Sequence, residues 1–231
     1  MGDLTLWGVG TTRTMRPHWA MHELGLNYTT MPISPRSGET QTKEFTALNA
    51  RQKVPLLQDN DFVMGESAAI VSYLSGAYST SETSLIPTSS VDYAQWLEWC
   101  FFLVTELDSA SLYVIRRHSD LKHIYGDAPE VVLQAAAYFT KQLLHVESAL
   151  ADGRNYLLGD FFSSADIILT TCLTWAIFYN ICLPRQFHAY LRRIAERPGY
   201  KRGYAANFSQ PSDPSTAVFR VGHWEDLLAL E

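Results

Sequence analysis

The chain has 231 residues, 47% of them hydrophobic and 18% charged, a balance that suits one large or two small globular domains with a sizeable core. A formal net charge of −6 excludes nucleic acid as a default partner, because phosphate binding calls for a basic face. No apolar run nears the roughly 18 residues that cross a bilayer, and the opening MGDLTLWGVG lacks the charged, apolar and cleavable parts of a secretory signal, so no membrane partner is expected.

Leu4–Trp7 reads as a strand, followed by the loop Gly8-Val9-Gly10. Thr14 to Leu24 reads as a helix closed by Gly25, with Pro17 tolerated in its first turn. Asn27–Ile33 is a second strand, and a polar stretch then leads to a short helix over Lys43–Leu48. Two short apolar runs flank an Asp59-Asn60-Asp61 turn, and a helix from Ser67 to about Tyr78 follows. The order βαβ, connecting helix, ββα is the thioredoxin-like arrangement, over residues 1–78.

The Ser/Thr-rich stretch 79–90 is the expected linker. Residues 91–231 read as an all-helical bundle. Ser89-x-x-Asp92 caps a helix running to about Arg117, Asp127-x-x-Glu130 caps a second, and Ser163-x-x-Asp166 a third. Pro184–Arg197 gives a fourth before Pro198-Gly199, and the tail after Tyr204 reads as irregular. Cys100, Cys172 and Cys182 have no metal-ligand spacing and read as small buried hydrophobes. Reduced thiols suit a cytoplasmic protein, and no metal is expected.

Two dipeptides carry the chemistry. Val54-Pro55 at the mouth of a strand is a cis-peptide candidate, which would turn the backbone of Val54 outward to pair with an extended peptide. Glu66-Ser67 opens a helix and offers a carboxylate to an amine, with a hydroxyl and free N–H groups for a carboxylate. Together they suit a small zwitterionic peptide.

Four segments, in order and at matching spacing, carry a family resemblance: TRTMRPHWAMHELGLNY, NARQKVPLL, GESAAIVSYL and YLLGDFFSSADIIL. The chain resembles the cytosolic glutathione transferases over nearly its whole length, in a serine- or threonine-type, theta- or nu-like style. The resemblance implies a thioredoxin-like α/β domain followed by an all-α bundle, with glutathione as co-substrate. It implies that Val54 offers its backbone to the cysteinyl unit, that Pro55 is the cis proline, and that Glu66 and Ser67 hold the γ-glutamyl end. Lys53 would take the glycyl carboxylate. The fold family is usually dimeric, which here would join Ser67–Tyr78 of one copy to the helix containing Trp96–Leu107 of another, with Asp108 the acid expected to reach across.

The family places a Tyr, Ser or Cys between the first strand and first helix to stabilise the thiolate. Here the segment Gly8-Val9-Gly10-Thr11-Thr12-Arg13-Thr14 holds none of these. Counting back from Arg16 gives Thr12; a shift of one residue gives Thr11 or Arg13. These threonines also suit plain helix capping. With no cysteine in the segment, a mixed disulfide between enzyme and glutathione is not available there. Trp7, Trp99, Phe101, Phe102, Tyr113 and Arg116 are candidates for the wall of a hydrophobic electrophile site, although aromatics at helical spacing also make core. The leading expectation is conjugation of glutathione to hydrophobic electrophiles. The alternatives are a glutathione-dependent peroxidase or disulfide reductase, and a non-catalytic scaffold or regulatory relative.

Overall fold

The computed structural model describes residues 3–208 and 222–231. It divides into two compact units: 1–86 together with 192–229, and 87–191 together with 230–231.

The first unit begins with β1 (Leu4–Trp7), α1 (Thr12–Glu23) and β2 (Thr29–Met31). A 3₁₀ turn (Glu39–Gln41) and α2 (Lys43–Leu48) lead to β3 (Leu56–Asp59), β4 (Phe62–Gly65) and α3 (Ser67–Tyr78). The sheet order is β2-β1-β3-β4. β1 and β2 run parallel, whereas β3 is antiparallel to both β1 and β4. This is the thioredoxin-like mixed sheet. Ile33, Phe45 and Leu56 form a small core with Trp7, Leu48, Val54 and Val63 packed around it. α3 buries Ile70, Val71 and Leu74, the i, i+1, i+4 face of its apolar pattern.

α1 starts two residues earlier than its sequence pattern suggests. Thr11 is the N-cap and pairs reciprocally with Thr14, so a Thr-x-x-Thr sequence takes the place of the usual Ser/Thr-x-x-Glu box. Pro17 therefore lies beyond the first turn and removes the N–H that would bond to the carbonyl of Arg13. The burial of Met15, Trp19, Ala20 and Met21 around it holds the helix together.

The second unit contains α4 (Ser90–Phe102), a wide helical stretch (Leu103–Leu112) and α5 (Tyr113–His118) as one continuous helix, close to the span expected to end near Arg117. Over the wide stretch the bonding lengthens to i→i+5, as in Tyr113 N–H to Asp108 O, and Ser111 Oγ donates to Glu106 O. Then come α6 (Lys122–Tyr125), α7 (Pro129–Ala149), α8 (Ser164–Phe178) and α9 (Arg185–Ala195). Asp127 does not cap α7, whose N-cap is Ala128 with no side-chain bond; Asp127 instead pairs with Lys122 at 3.2 Å. Ser163 and Asp166 do form the expected box at α8. Cys100 and Cys172 are buried, but Cys182 is exposed, because it follows the end of α8 in an irregular stretch.

The last part of the chain departs from its sequence reading. The division between units falls inside α9, between Leu191 and Arg192. Pro198-Gly199 does not end helical structure. Proline is the first residue of α10 (Pro198–Phe208), where its missing N–H costs nothing, and a further short helix, α11, spans Trp224–Leu228. α10 packs on α1 so closely that a Cβ on Gly203 would lie 2.6 Å from Trp19 Cα. Residues 192–229 thus belong with the first unit instead of with the 91–231 bundle.

Candidate functional site

The site is best assembled from the turn between β1 and α1. Gly8 has φ +111°, and a Cβ there would sit 2.6 Å from Val54 Cβ, so the turn lies directly against Val54. The Val54–Pro55 peptide is cis. Gly8 is held from the other side by His18, whose Nε2 lies 3.1 Å from Gly8 O, while its Nδ1 lies 2.8 Å from the Tyr28 hydroxyl. A carbonyl can only accept, so Nε2 carries the proton and Tyr28 donates to Nδ1. Burial drives the His18 pKa down to about 4, against a smaller opposing pull from the Gly8 bond, and the imidazole is neutral at ordinary pH. Burial also pushes Tyr28 up to about 12.

Thr11, Thr12 and Arg13 lie at the start of α1. The Thr11 hydroxyl is committed: it accepts from Thr14 N–H at 3.0 Å and lies 3.0 Å from the Thr14 hydroxyl. Thr12 is the first helical residue and 3% exposed, and its hydroxyl has no hydrogen-bond partner among the described residues. Arg13 is half-buried in the same first turn. The three threonine positions therefore separate into a cap (Thr11 with Thr14) and a side chain still available for another group (Thr12).

One turn along the same face of α1 stands Arg16, a cation only 1% exposed. Its Nη1 donates to Ser67 Oγ at 3.0 Å, tying α1 to the first residue of α3. Ser67 is buried and sits where the unsatisfied N–H groups of α3 gather. Glu66 precedes it as the N-cap with φ +70°, a backbone shape few side chains adopt. Its carboxylate is exposed and accepts from Arg51 Nη1 at 2.8 Å. Lys53 is exposed, and its carbonyl accepts from Asn49 Nδ2 at 2.9 Å. Pro55 is buried. The arrangement offers hydrogen-bond donors and positive charge around Ser67, with the Glu66 carboxylate beside them.

Sequence reasoning passed over Arg16, Arg51, His18 and Asn207 as site residues. A charged residue between Met15 and Pro17 on an otherwise apolar face was the available signal for Arg16. Asn207 lay in the tail read as irregular. It is 1% exposed, and its side chain reaches the turn between β1 and α1.

The residues expected around an electrophile fall into both units. Trp7 lies in the sheet core of the first unit, edge-on to Phe45 with ring centroids 5.8 Å apart. In the second unit Trp99 stacks on His145 at 4.9 Å and Phe102 meets the same ring edge-on at 5.1 Å, so these two residues share one cluster. Phe101 points to solvent. Tyr113 lies beside the Arg117 guanidinium, and Arg116 is buried. Among the described residues no group of His, Cys, Asp and Glu is arranged to hold a metal ion, and no helix is long and apolar enough to cross a membrane.

Residues 2–76 match the family model described as Glutathione S-transferase, N-terminal domain. Glutathione S-transferase 3 of Zea mays is 30% identical over 228 residues, covering 94% of this chain and 100% of that protein. Among solved structures, the theta class glutathione S-transferase of Xanthomonas axonopodis pv. citri, with glutathione bound, is 25% identical with a TM-score of 0.73, covering 88% of this chain and 97% of its own. A glutathione transferase from Methylococcus capsulatus str. bath is 26% identical with a TM-score of 0.74, covering 90% and 100%. With the thioredoxin-like sheet followed by helices, and a relative this similar along nearly all of both chains, the protein belongs to the cytosolic glutathione transferase family.

Proposed function

We propose that the first unit binds glutathione and presents its thiolate to hydrophobic electrophiles. The observation that carries this reading is the Thr12 hydroxyl, which has no partner among the described residues and stands at the positive end of α1, on the face whose next turn bears Arg16 and, through it, Ser67. Glutathione would lie with its cysteinyl unit along the Val54 backbone. Its γ-glutamyl carboxylate would meet the Ser67 hydroxyl and the start of α3, its ammonium Glu66, and its glycyl carboxylate Lys53. A neighbour with glutathione bound supports this choice of ligand.

A free cysteine-type thiol has a pKa near 8.5. A hydroxyl donating to the sulfur favours the anion by about 1.5–3 kcal/mol, and the helix terminus adds about 0.3–1 kcal/mol. At about 1.4 kcal/mol per pKa unit, these bring the thiol to roughly 6–7. The thiol proton leaves to water, and the thiolate electron pair forms the C–S bond as the leaving group departs with its own pair. Trp99, Phe102, Tyr113 and Arg116 remain the proposed electrophile-facing residues of the second unit, and Trp7 that of the first. No cysteine stands in the segment between β1 and α1, which disfavours a route through an enzyme–glutathione disulfide there.

A homodimer is proposed as the working assembly. In the second unit, exposed Phe101, Leu133 and Leu144 are apolar side chains that a second copy would cover.

The test is the ultraviolet thiolate absorbance of bound glutathione during a pH titration, on wild type, Thr12→Ala, Thr12→Ser and Thr11→Ala. The reading expects a bound thiol that ionises well below pH 7.5, a shift back towards the free value in Thr12→Ala, and recovery in Thr12→Ser. Thr11→Ala should cost about 1 kcal/mol of stability, as a lost N-cap does, with a smaller change in the thiol. A wild-type thiol that ionises at its free value rejects the proposal and favours a redox or non-catalytic role.

A further inference from the structure

We propose that Asn207, on α10, is a positioning residue that sets the shape of the β1–α1 turn from the far end of the chain, and so aims Thr12. The inference rests on the thiolate chemistry proposed for Thr12. It adds a residue that the chain's first 200 positions do not contain.

The side-chain amide of Asn207 makes three bonds to the turn. Its Oδ1 accepts from Gly10 N–H at 3.2 Å and from the Thr14 hydroxyl at 2.7 Å. Its Nδ2 donates to Thr11 O at 3.0 Å. The backbone carbonyl of Asn207 accepts from Gly10 N–H as well, at 2.9 Å. Gly10 N–H can only donate and Thr11 O can only accept, so the amide is held in one orientation, and only glutamine, one methylene longer, carries both halves as well. The contacts straddle Thr12: Gly10 and Thr11 are gripped before it, and Thr14 after it. Gly10 has φ +84° and nothing within 4 Å of a would-be Cβ, so the turn has no packing of its own at that point. Thr14 is wholly buried and passes the hold back to the Thr11 cap, because its hydroxyl lies 3.0 Å from both Thr11 O and Thr11 Oγ1. A buried network of this kind is worth more as a geometric constraint than as separate bonds.

A purely structural role, anchoring α10 to α1, predicts different behaviour. That anchor has a second point at the other end of α10. Arg197 forms a bidentate pair with Glu23 on α1, Nε to Oε1 and Nη2 to Oε2, both at 2.9 Å. Arg197→Met therefore loosens the docking without touching the turn and serves as the control.

The experiment compares wild type, Asn207→Ala, Asn207→Asp, Thr14→Val and Arg197→Met as full-length proteins. The bound-glutathione thiol is titrated by its ultraviolet absorbance, and affinity is measured with S-methylglutathione, which has no thiol to ionise. Asn207→Ala should raise the thiol pKa by about one unit, a roughly tenfold loss of thiolate at pH 6, while S-methylglutathione binds within about threefold of wild type. Thr14→Val should move the thiol in the same direction by less. Asn207→Asp places an oxygen against Thr11 O and should be at least as defective as Ala. Arg197→Met should leave the thiol at its wild-type value despite lost stability. Equal thiol pKa values in wild type and Asn207→Ala, or equal shifts in Asn207→Ala and Arg197→Met, overturn the proposal.

Amide hydrogen exchange of the ligand-free proteins separates this inference from the reading beneath it. Exchange at Gly10 and Thr14 should be at least tenfold faster in Asn207→Ala than in Arg197→Met. Should the wild-type thiol prove unactivated, the thiolate reading fails by itself and the exchange rates decide whether Asn207 holds the turn. Matching exchange rates in the two variants reject that hold.

Discussion

The Arg16 guanidinium lies 3.0 Å from the Ser67 hydroxyl, joining the first turns of α1 to the first residue of α3. Arg16 is almost fully buried, so its charge is felt at the start of α3 with little screening by water. Charge-assisted bonds of this kind are worth about 1.5–3 kcal/mol. Ser67→Ala and Arg16→Met should each weaken glutathione binding roughly tenfold or more by calorimetry. The double variant should lose less than the sum of the two, because the residues act through one contact. Strict additivity would show that they serve separate parts of the ligand.

Glu66, proposed to hold the ligand's ammonium, has an unfavourable backbone. At φ +70° a side chain costs about 1 kcal/mol or more, and glycine removes that cost. The exposed pair with Arg51 returns at most about 1 kcal/mol. Glu66→Gly should therefore be at least as stable as Glu66→Ala in denaturant titrations, in spite of glycine's larger unfolded-state entropy. Both should lose affinity for glutathione to a similar degree. A Glu66→Gly protein clearly less stable than Glu66→Ala would mean that the backbone there is unstrained.

His18 imposes an acid limit on the first unit. Its folded pKa is about 4, against 6.5 for an unperturbed histidine. Between those values the unfolded chain binds a proton that the folded chain refuses, so stability rises with pH across this window. The contribution is complete above about pH 6.5 and is lost on acidification towards pH 4, on the order of 3 kcal/mol in all. His22, also depressed by burial with Arg202 assisting, adds to the same slope. Unfolding of His18→Gln, followed by denaturant at several pH values, should show a shallower slope between pH 4 and 6.5 than wild type. An identical slope would assign the acid sensitivity elsewhere.

In the second unit, Asp166 accepts from Leu157 N–H, Ser163 N–H, the Ser163 hydroxyl and the Tyr190 hydroxyl, at 2.9–3.0 Å. Asp166→Ala would leave these buried donors without their acceptor, a loss of roughly 3 kcal/mol or more. Thermal unfolding should show that loss, while the bound-thiol titration of the remaining folded protein stays as in wild type. A moved titration would give Asp166 a part in the chemistry that its place in the fold does not suggest.

Much of the first unit was legible because its signals are local. Lys43–Leu48 and Ser67–Tyr78 have the bounds that their apolar spacing implies, and the Val54-Pro55 and Glu66-Ser67 pairs stand at the strand mouth and helix start where they read. The start of α1 was misplaced because a threonine at the third helical position does the work usually given to Glu or Gln. Pro198 follows the expected Pro184–Arg197 helix and reads as a stop, although proline at a first helical position is a start. That single ambiguity hid α10 and, with it, Asn207, whose contacts span nearly two hundred residues of sequence. Arg16 and His18 were hidden for another reason: sequence periodicity shows which face is apolar, not which polar group on that face has found a buried partner.

Gly203 and Trp19 meet so closely that α1 and α10 complete one another, yet they are made far apart along the chain. At about 5–20 residues per second, the ribosome produces the covering helix roughly 10–40 seconds after α1. Until then the nascent α1 carries an uncovered apolar flank at Trp19, and the turn at Gly10 lacks its contacts with Asn207. The first unit, although its sheet is made early, is completed late, and a chain cut short before residue 192 would carry the Val54-Pro55 and Glu66-Ser67 dipeptides without the helix that completes their unit.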